Sequence, residues 1–224
     1  MGYVPHPLCG LFIFGGPMAI SYAMLLDGGF IRRKLGTKKT PVDAAAISAF
    51  AASVQKLQCL DRMRLHRIYY YEAKPLEGIA KVPLGGGDMD FGATEVAARN
   101  KSIQASLLKE PFFALRFGEL FHEGWHLKPK ILSKQGPSVE IEASDVMPSI
   151  RQKGVDMRIG LDIASLTLKR QAQVIVLVTA DSDFIPAMKF ARREGAQLFL
   201  ITLAHGIKVG MREHADLVID QYPF

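Results

Sequence analysis

The chain has little cysteine and no long, uninterrupted apolar segment. Its two cysteines, Cys9 and Cys59, have no neighbour at metal-ligand spacing, which argues against a disulfide framework and a structural zinc site. We therefore expect a reducing, cytoplasmic environment. The longest apolar stretch near the start, LCGLFIFGGPMAI, is too short and too interrupted by glycine to span a bilayer, and it lacks the basic flank of a signal peptide. We expect no membrane partner.

What the chain has is an excess of positive charge. Its 224 residues include 28 Lys and Arg against 22 Asp and Glu, a formal net charge of +6, which favours a polyanionic partner such as RNA. This length suits a single domain with a large core. Because Met18 opens a stretch that is typical of a natural start, we predict an N-terminal extension at residues 1–18 and one domain over 19–224. The segment 74–150 is the part of this domain with the less typical sequence. The sequence does not decide between a monomer and a homo-oligomer.

Hydrophobic periodicity predicts alternating strands and helices. In the first part we expect strands at 20–26 and 66–73, helices at 43–60 and 93–110, a loop at 74–92, a strand pair turning at 122–124, and a loop at 133–150. The last third predicts helix 156–169, strand 173–179, helix 184–194, strand 197–202, helix 207–214 and strand 216–219. This alternation is typical of a mainly parallel sheet covered by helices on both faces.

Four aspartates are expected at the carboxyl ends of these parallel strands, where functional groups gather in such sheets. Asp27 ends the first strand, and Asp181 and Asp183 follow the strand VIVLV. Asp156 lies in the first turn of a helix that runs antiparallel to the strands, so it should reach the same edge. We also expect Asp183 to cap the helix that begins at Phe184.

Converging carboxylates repel one another unless a cation lies among them. Hard oxygen ligands of this kind suit Mg²⁺ or Mn²⁺, which can promote hydrolysis of a phosphodiester. Asp162 lies on the core-facing side of its helix, about 9 Å along the axis from Asp156. We expect it to support the site from behind more readily than to bind the metal.

Basic and hydroxyl side chains flank these acids. Lysine and arginine near the site would bind a phosphate backbone without sequence preference, although each is also compatible with an ordinary solvated surface. Thr179 and Ser182 could bind phosphate or make only local backbone hydrogen bonds. The predicted substrate-binding residues are Arg32, Arg33, Lys34, Lys153, Arg158, Thr179 and Ser182.

Four motifs resemble a known family. The stretches AMLLDGGF, KGVDMRIGLDI, VIVLVTADSDFIPAMKFARREGAQLFLI and HADLVID are similar to the NYN domain of the LabA type, in the PIN-like nuclease group. The resemblance covers most of residues 20 to 220 and is most specific in the C-terminal half. It implies a three-layer α/β/α sandwich, an acidic pocket with a divalent metal, and cleavage of RNA. By motif, it matches the family acids to Asp27, Asp156, Asp162, Asp181 and Asp183.

The chain departs from the family pattern at two positions. Phe30 stands where many NYN members carry asparagine after DGG, which removes a polar side chain near the site. TAD replaces the common SGD, but Thr179 retains a hydroxyl group.

We predict a metal-dependent ribonuclease, endonucleolytic in mode, in which Asp27, Asp156, Asp181 and Asp183 hold Mg²⁺ or Mn²⁺ and the products carry 5′-phosphate and 3′-hydroxyl ends. The alternative is a regulatory module that binds RNA or protein with little turnover. A phosphotransferase with Asp27 as nucleophile is disfavoured, because DGG lacks the second acid two residues on that haloacid-dehalogenase-like enzymes use.

Overall fold

A seven-stranded, mostly parallel sheet organises the chain. The computed structural model describes residues 20–37, 39–136 and 138–222, so the predicted extension at residues 1–18 lies outside the described part. The strands are β1 Ser21–Asp27, β2 Arg64–Ala73, β3 Ile79–Lys81, β4 Asp88–Asp90, β5 Phe113–Leu127, β6 Val146–Lys153, β7 Val174–Val178, β8 Gln197–Ile201 and β9 Leu217–Ile219. The sheet order is β6-β5-β2-β1-β7-β8-β9, and β3 and β4 form a separate hairpin.

Helices cover both faces of this sheet. They are α1 Gly28–Leu35, α2 Ala44–Gln55, α3 Glu95–Leu107, α4 Pro129–Leu132, α5 Val155–Leu168, α6 Ile185–Arg193 and α7 Val209–Glu213. One core lies between the sheet and α1, α2 and α3. A second core lies between the opposite face and α5, α6 and α7. The predicted three-layer α/β/α architecture is therefore confirmed.

The order of the strands places a switch point between β1 and β7. Both strands are parallel and adjacent, but the chain continues from β1 towards β2 and β5, and from β7 towards β8 and β9. The loops at their carboxyl ends therefore leave to opposite sides and open a crevice, which is where ligands bind in open α/β sheets. Asp27 and the segment 179–183 lie at this crevice.

The structure differs from the prediction in the segment 74–150. The expected strand pair at 122–124 is a single strand, β5, with an irregularity between His122 and Trp125. Gly124 has φ +101 there, so its glycine allows a bulge and not a turn. The expected loop at 133–150 contains the start of β6, which pairs antiparallel with β5, and the expected loop at 74–92 contains the β3-β4 hairpin.

Helix α1 was also missed by the sequence prediction. Asp27 is its N-cap and accepts a hydrogen bond from the Phe30 amide at 3.0 Å. The basic residues Arg32, Arg33 and Lys34 occupy its last turn, where they complement the helix dipole. Within the described residues, no helix is long and apolar enough to cross a membrane.

Candidate functional site

The crevice between β1 and β7 is built around one buried hydroxyl group. Thr179 is fully buried, and its Oγ1 donates to Asp27 Oδ2 at 2.9 Å. The same oxygen accepts a hydrogen bond from the Asp181 amide at 3.2 Å. Thr179 therefore fixes the end of β7 to the end of β1 and orients the carboxylate of Asp27.

Asp27 has both carboxylate oxygens engaged by the fold. Oδ1 caps α1 through the Phe30 amide, and Oδ2 accepts from Thr179. Each oxygen retains lone-pair capacity, because an ionised carboxylate has about four acceptor sites. The side chain is thus held in one orientation while it stays able to bind a further group.

The segment that follows β7 is turned by Asp181, not by Asp183. Asp181 Oδ1 accepts from the Asp183 amide at 2.9 Å and caps the short 3-10 turn Ser182–Phe184. Helix α6 begins at Ile185 and has no side-chain cap, so the predicted cap by Asp183 is wrong. The reason is geometric. The 3-10 turn lies between β7 and α6, so the side-chain cap falls on Asp181, two residues before Asp183.

The carboxylates of Asp156 and Asp183 have no hydrogen-bond donor among the described residues. Asp156 lies in the first turn of α5, as predicted. Burial raises the pKa of its carboxyl group, and repulsion from Asp181, Asp27 and Asp183 raises this pKa further. The four acids are therefore close enough to interact electrostatically, although they come from three separate segments of the chain.

The carboxylate chemistry fits a hard divalent cation. The four carboxylates are near enough to repel one another, and a cation relieves repulsion of this kind. In the conformation of the described chain, however, no three Asp, Glu, His or Cys side chains are arranged as a complete metal site. The assignment of Asp27, Asp156, Asp181 and Asp183 as metal ligands stays a prediction.

Asp162 is engaged elsewhere in the fold. Its Oδ2 accepts from the Tyr71 hydroxyl at 2.8 Å and from Arg116 Nε at 3.0 Å. The side chain therefore joins α5 to β2 and β5. This network is consistent with the expectation of a supporting role, because Asp162 Oδ2 already accepts two hydrogen bonds within the fold.

The predicted substrate-binding residues lie in different surroundings. Arg33 is exposed on α1. Its guanidinium group lies near the carboxylate of Asp27, because a Cβ added to Gly29 would lie 3.5 Å from both Arg33 Nη1 and Asp27 Oδ1. Lys153 ends β6, and its Nζ lies 4.7 Å from the centre of the Phe121 ring. Arg158 is exposed one turn into α5. Arg33 thus lies on α1, which directly follows Asp27, while Lys153 and Arg158 flank Asp156 in the sequence.

The remaining members of that set are less open. Lys34 is half-buried on α1, and Ser182 is half-buried in the turn after Asp181. Arg32 points into the fold, where Nη1 donates to Asn100 Oδ1 at 2.6 Å. Its role in substrate binding stays a prediction, but this contact gives it a structural role.

Glu72 is a further buried acid that the sequence motifs did not indicate. This residue is the penultimate one of β2, which pairs with β1. It is only 5% exposed, and its Oε2 lies 2.8 Å from Arg32 Nε. The two atoms do not meet with hydrogen-bond geometry, so the contact is mainly electrostatic. Burial raises the pKa of Glu72, and Arg32 partly opposes this. The position of Glu72 at the carboxyl end of a parallel strand was the signal that could have identified it.

Comparisons with known proteins concern the fold and the C-terminal part of the sequence. A solved structure of a protein of unknown function from Vibrio parahaemolyticus superposes with a TM-score of 0.51 at 12% identity, covering 91% of this chain and 94% of that one. At this identity the likeness concerns the fold alone. An uncharacterized protein of Methanocaldococcus jannaschii is 31% identical over 72 residues, which are 32% of this chain and 30% of the archaeal protein.

One family model matches the chain. It covers residues 122–220, a little under half of the sequence, and includes Asp156, Asp181 and Asp183 but not Asp27. The LabA subtype stays a prediction. The C-terminal part of the chain thus matches the NYN domain, a family of PIN-like nucleases.

Proposed function

We propose that this protein is a metal-dependent endoribonuclease that hydrolyses RNA phosphodiester bonds at the crevice between β1 and β7. Burial raises the pKa of Asp156, and repulsion from Asp181, Asp27 and Asp183 raises it further; this interaction among four carboxylates at the crevice is the observation that supports the proposal. The NYN match over residues 122–220 supports the same function, because its family is one of PIN-like nucleases.

In this proposal the ion is Mg²⁺ or Mn²⁺, held by Asp27, Asp156, Asp181 and Asp183. When bound, it supplies charge stabilisation at the phosphate and activation of the attacking water. The hydrogen bonds from Thr179 and the Phe30 amide hold Asp27 in place, so this ligand loses little conformational entropy on binding. Such preorganisation is the main contribution that the chain itself makes to the reaction.

The basic residues around the crevice would bind the RNA backbone. Arg33 on one side and Lys153 with Arg158 on the other are exposed and able to contact phosphates on either side of the bond that is cleaved. The other members of the proposed set are Arg32, Lys34, Thr179 and Ser182. Phosphate contacts of this kind give affinity and position without sequence choice. We propose that cleavage leaves 5′-phosphate and 3′-hydroxyl ends.

The test is a cleavage assay on a pool of labelled RNAs and single-stranded DNA with Mn²⁺, Mg²⁺ or EDTA. The Asp181→Asn variant should lose cleavage but keep its fold. Asp61→Asn is the matched control, because it removes the same charge at an exposed position whose nearest cation is 3.9 Å away. RNA that is retained but never shortened in any metal would contradict the enzyme and favour a regulatory RNA-binding module.

A further inference from the structure

Helix α5 is apolar on two opposite sides. Its inward side packs in the core through Val155, Ile159, Ile163 and Leu166, which are all buried. Its outward side carries Met157, Leu161 and Leu168, which are 69%, 62% and 62% exposed. The outward side of a surface helix is normally polar, so this second apolar side calls for a partner.

The outward residues form one continuous stripe. At 3.6 residues per turn, positions 157, 161, 164 and 168 fall within about 60° of one another around the helix axis. We call Met157, Leu161, Ala164 and Leu168 the outer stripe of α5. Helix α6 does not cover it, because α6 meets α5 on its flank, where a Cβ on Gly160 would lie 3.9 Å from Ala187.

We propose that the outer stripe binds the same stripe of a second copy of this chain, with the two α5 helices antiparallel about a two-fold axis. The spacing of the stripe, four, three and four residues, is the same in both directions. In the antiparallel pair, Met157 faces Leu168 of the second copy, and Leu161 faces the small Ala164. A large side chain thus meets a small one near the axis, which allows the helices to interdigitate.

Two physical features favour the antiparallel arrangement. It opposes the macrodipoles of the two helices, whereas a parallel pair would align them. It also gives an isologous contact that closes on itself and leaves no unsatisfied copy of the stripe. No charged residue lies within the outer stripe, so pairing it with itself brings no like charges together.

The size of the contact predicts its strength. A 14-residue helix is about 21 Å long, and two such helices with their flanks bury on the order of 1,000 Å² in total, the lower end for a specific interface. We therefore expect a dimer that forms and exchanges with concentration, not an obligate one. The antiparallel pair places the two acidic crevices at opposite ends of the contact.

The first test is the molar mass in solution between about 1 and 100 μM, a range suited to a contact of this strength, measured by sedimentation. The mass should rise from monomer towards dimer, and Leu161→Glu should hold the chain at the monomer mass while its melting curve shows that it is folded. Val96→Glu is the matched control, because Val96 is also helical and 60% exposed but lies on α3 in the other helical layer. A monomer at every concentration, or a dimer that Leu161→Glu leaves intact, would overturn the proposal.

The second test reads the register of the pair. Met157→Cys protein mixed with Leu168→Cys protein should form a disulfide-linked dimer under mild oxidation, since the facing positions fall within the span of a disulfide. Neither variant alone should do so, because its two cysteines lie about 16 Å apart along the helix axes. Linkage of either variant alone at the rate of the mixture would overturn the antiparallel arrangement. The parent chain, with Cys59 half-buried, controls for background oxidation.

Discussion

Replacing Thr179 with valine should destabilise the fold by removing one hydroxyl group from the crevice. The side chain is fully buried, and valine has nearly the same shape, so the change creates no cavity. It removes the donor to Asp27 Oδ2 at 2.9 Å and the acceptor of the Asp181 amide at 3.2 Å. Asp27 Oδ2 and the Asp181 amide then lose their hydrogen-bond partner, while Asp27 Oδ1 keeps its bond from the Phe30 amide.

The expected loss of stability in Thr179→Val follows from the two hydrogen bonds that the hydroxyl group makes. A bond to a carboxylate contributes about 1.5–3 kcal/mol and a neutral one about 0.5–1.5 kcal/mol. Asp27 is half-buried, so water replaces part of its lost contact, and we expect a net loss of about 1.5–3 kcal/mol in the free energy of unfolding. For a domain of this size, that corresponds to a fall in Tm of roughly 3–12 °C.

Urea unfolding of the wild type, Thr179→Val and Thr179→Ser measures this effect. Serine keeps the hydroxyl and loses one methyl group, which costs about 1 kcal/mol in a core. The prediction is that valine is the less stable of the two, with an unchanged m-value. If Thr179→Val were as stable as the wild type, the hydroxyl would not organise the crevice as described.

Three further changes test other parts of the account. Gly28→Ala should lower the free energy of unfolding by about 1–3 kcal/mol, because its Cβ would lie 2.6 Å from a backbone oxygen of β2. Gly29→Ala, whose Cβ would meet nothing closer than 3.5 Å, should be neutral or slightly stabilising in urea unfolding. Equal losses in the two variants would contradict this packing. Arg32→Met should lower the free energy of unfolding by about 2–4 kcal/mol, because it leaves Glu72 buried without its cation. Glu72→Gln should lower it by less, and the reverse order would refute the ion pair. Asp156→Asn in EDTA should raise the Tm at pH 7. The native pKa lies above the unfolded value of 3.8, so ionisation of this carboxyl group destabilises the native state as the pH rises through the native pKa. Below the unfolded pKa the group is protonated in both states, and the gain in Tm should vanish. A gain in Tm that grows in acid would contradict the repulsion.

The alternating last third of the fold was predictable from local pattern. The strands β7 and β8 are continuous apolar runs that are almost wholly buried, and α5 shows its inward periodicity in the sequence. Each of these elements agrees with its own local preference, and consistency of this kind is what makes sequence interpretation reliable.

The missed elements depend on tertiary contacts. Helix α1 begins with two glycines, which are poor helix formers, and the cap by Asp27 and the contact between Arg32 and Glu72 stabilise it. Strand β6 contains Pro148 and is largely exposed, so neither its propensity nor its pattern indicates a strand. It forms because β5 continues past β2 and offers a free edge.

The sequence predicted which aspartates lie at the end of β1, after β7 and in the first turn of α5, while their role in a site stays a prediction. The rule that function gathers at the carboxyl edge of parallel strands was enough to select Asp27, Asp156, Asp181 and Asp183. It could not tell which aspartate caps which turn, because that depends on the backbone after β7. The same rule also applies to Glu72, near the carboxyl end of β2, but the sequence around it does not show that this acid is buried next to Arg32.

The most direct test of the central claim is the rate at which wild-type protein shortens a labelled single-stranded RNA in Mn²⁺, compared with EDTA and with Asp181→Asn. We predict cleavage that needs the metal and falls by about 100-fold or more in the variant, the scale of loss when a preorganised charge-stabilising group is removed. Cleavage that continues in EDTA, or that Asp181→Asn performs at the wild-type rate, would contradict a metal-dependent nuclease at this crevice.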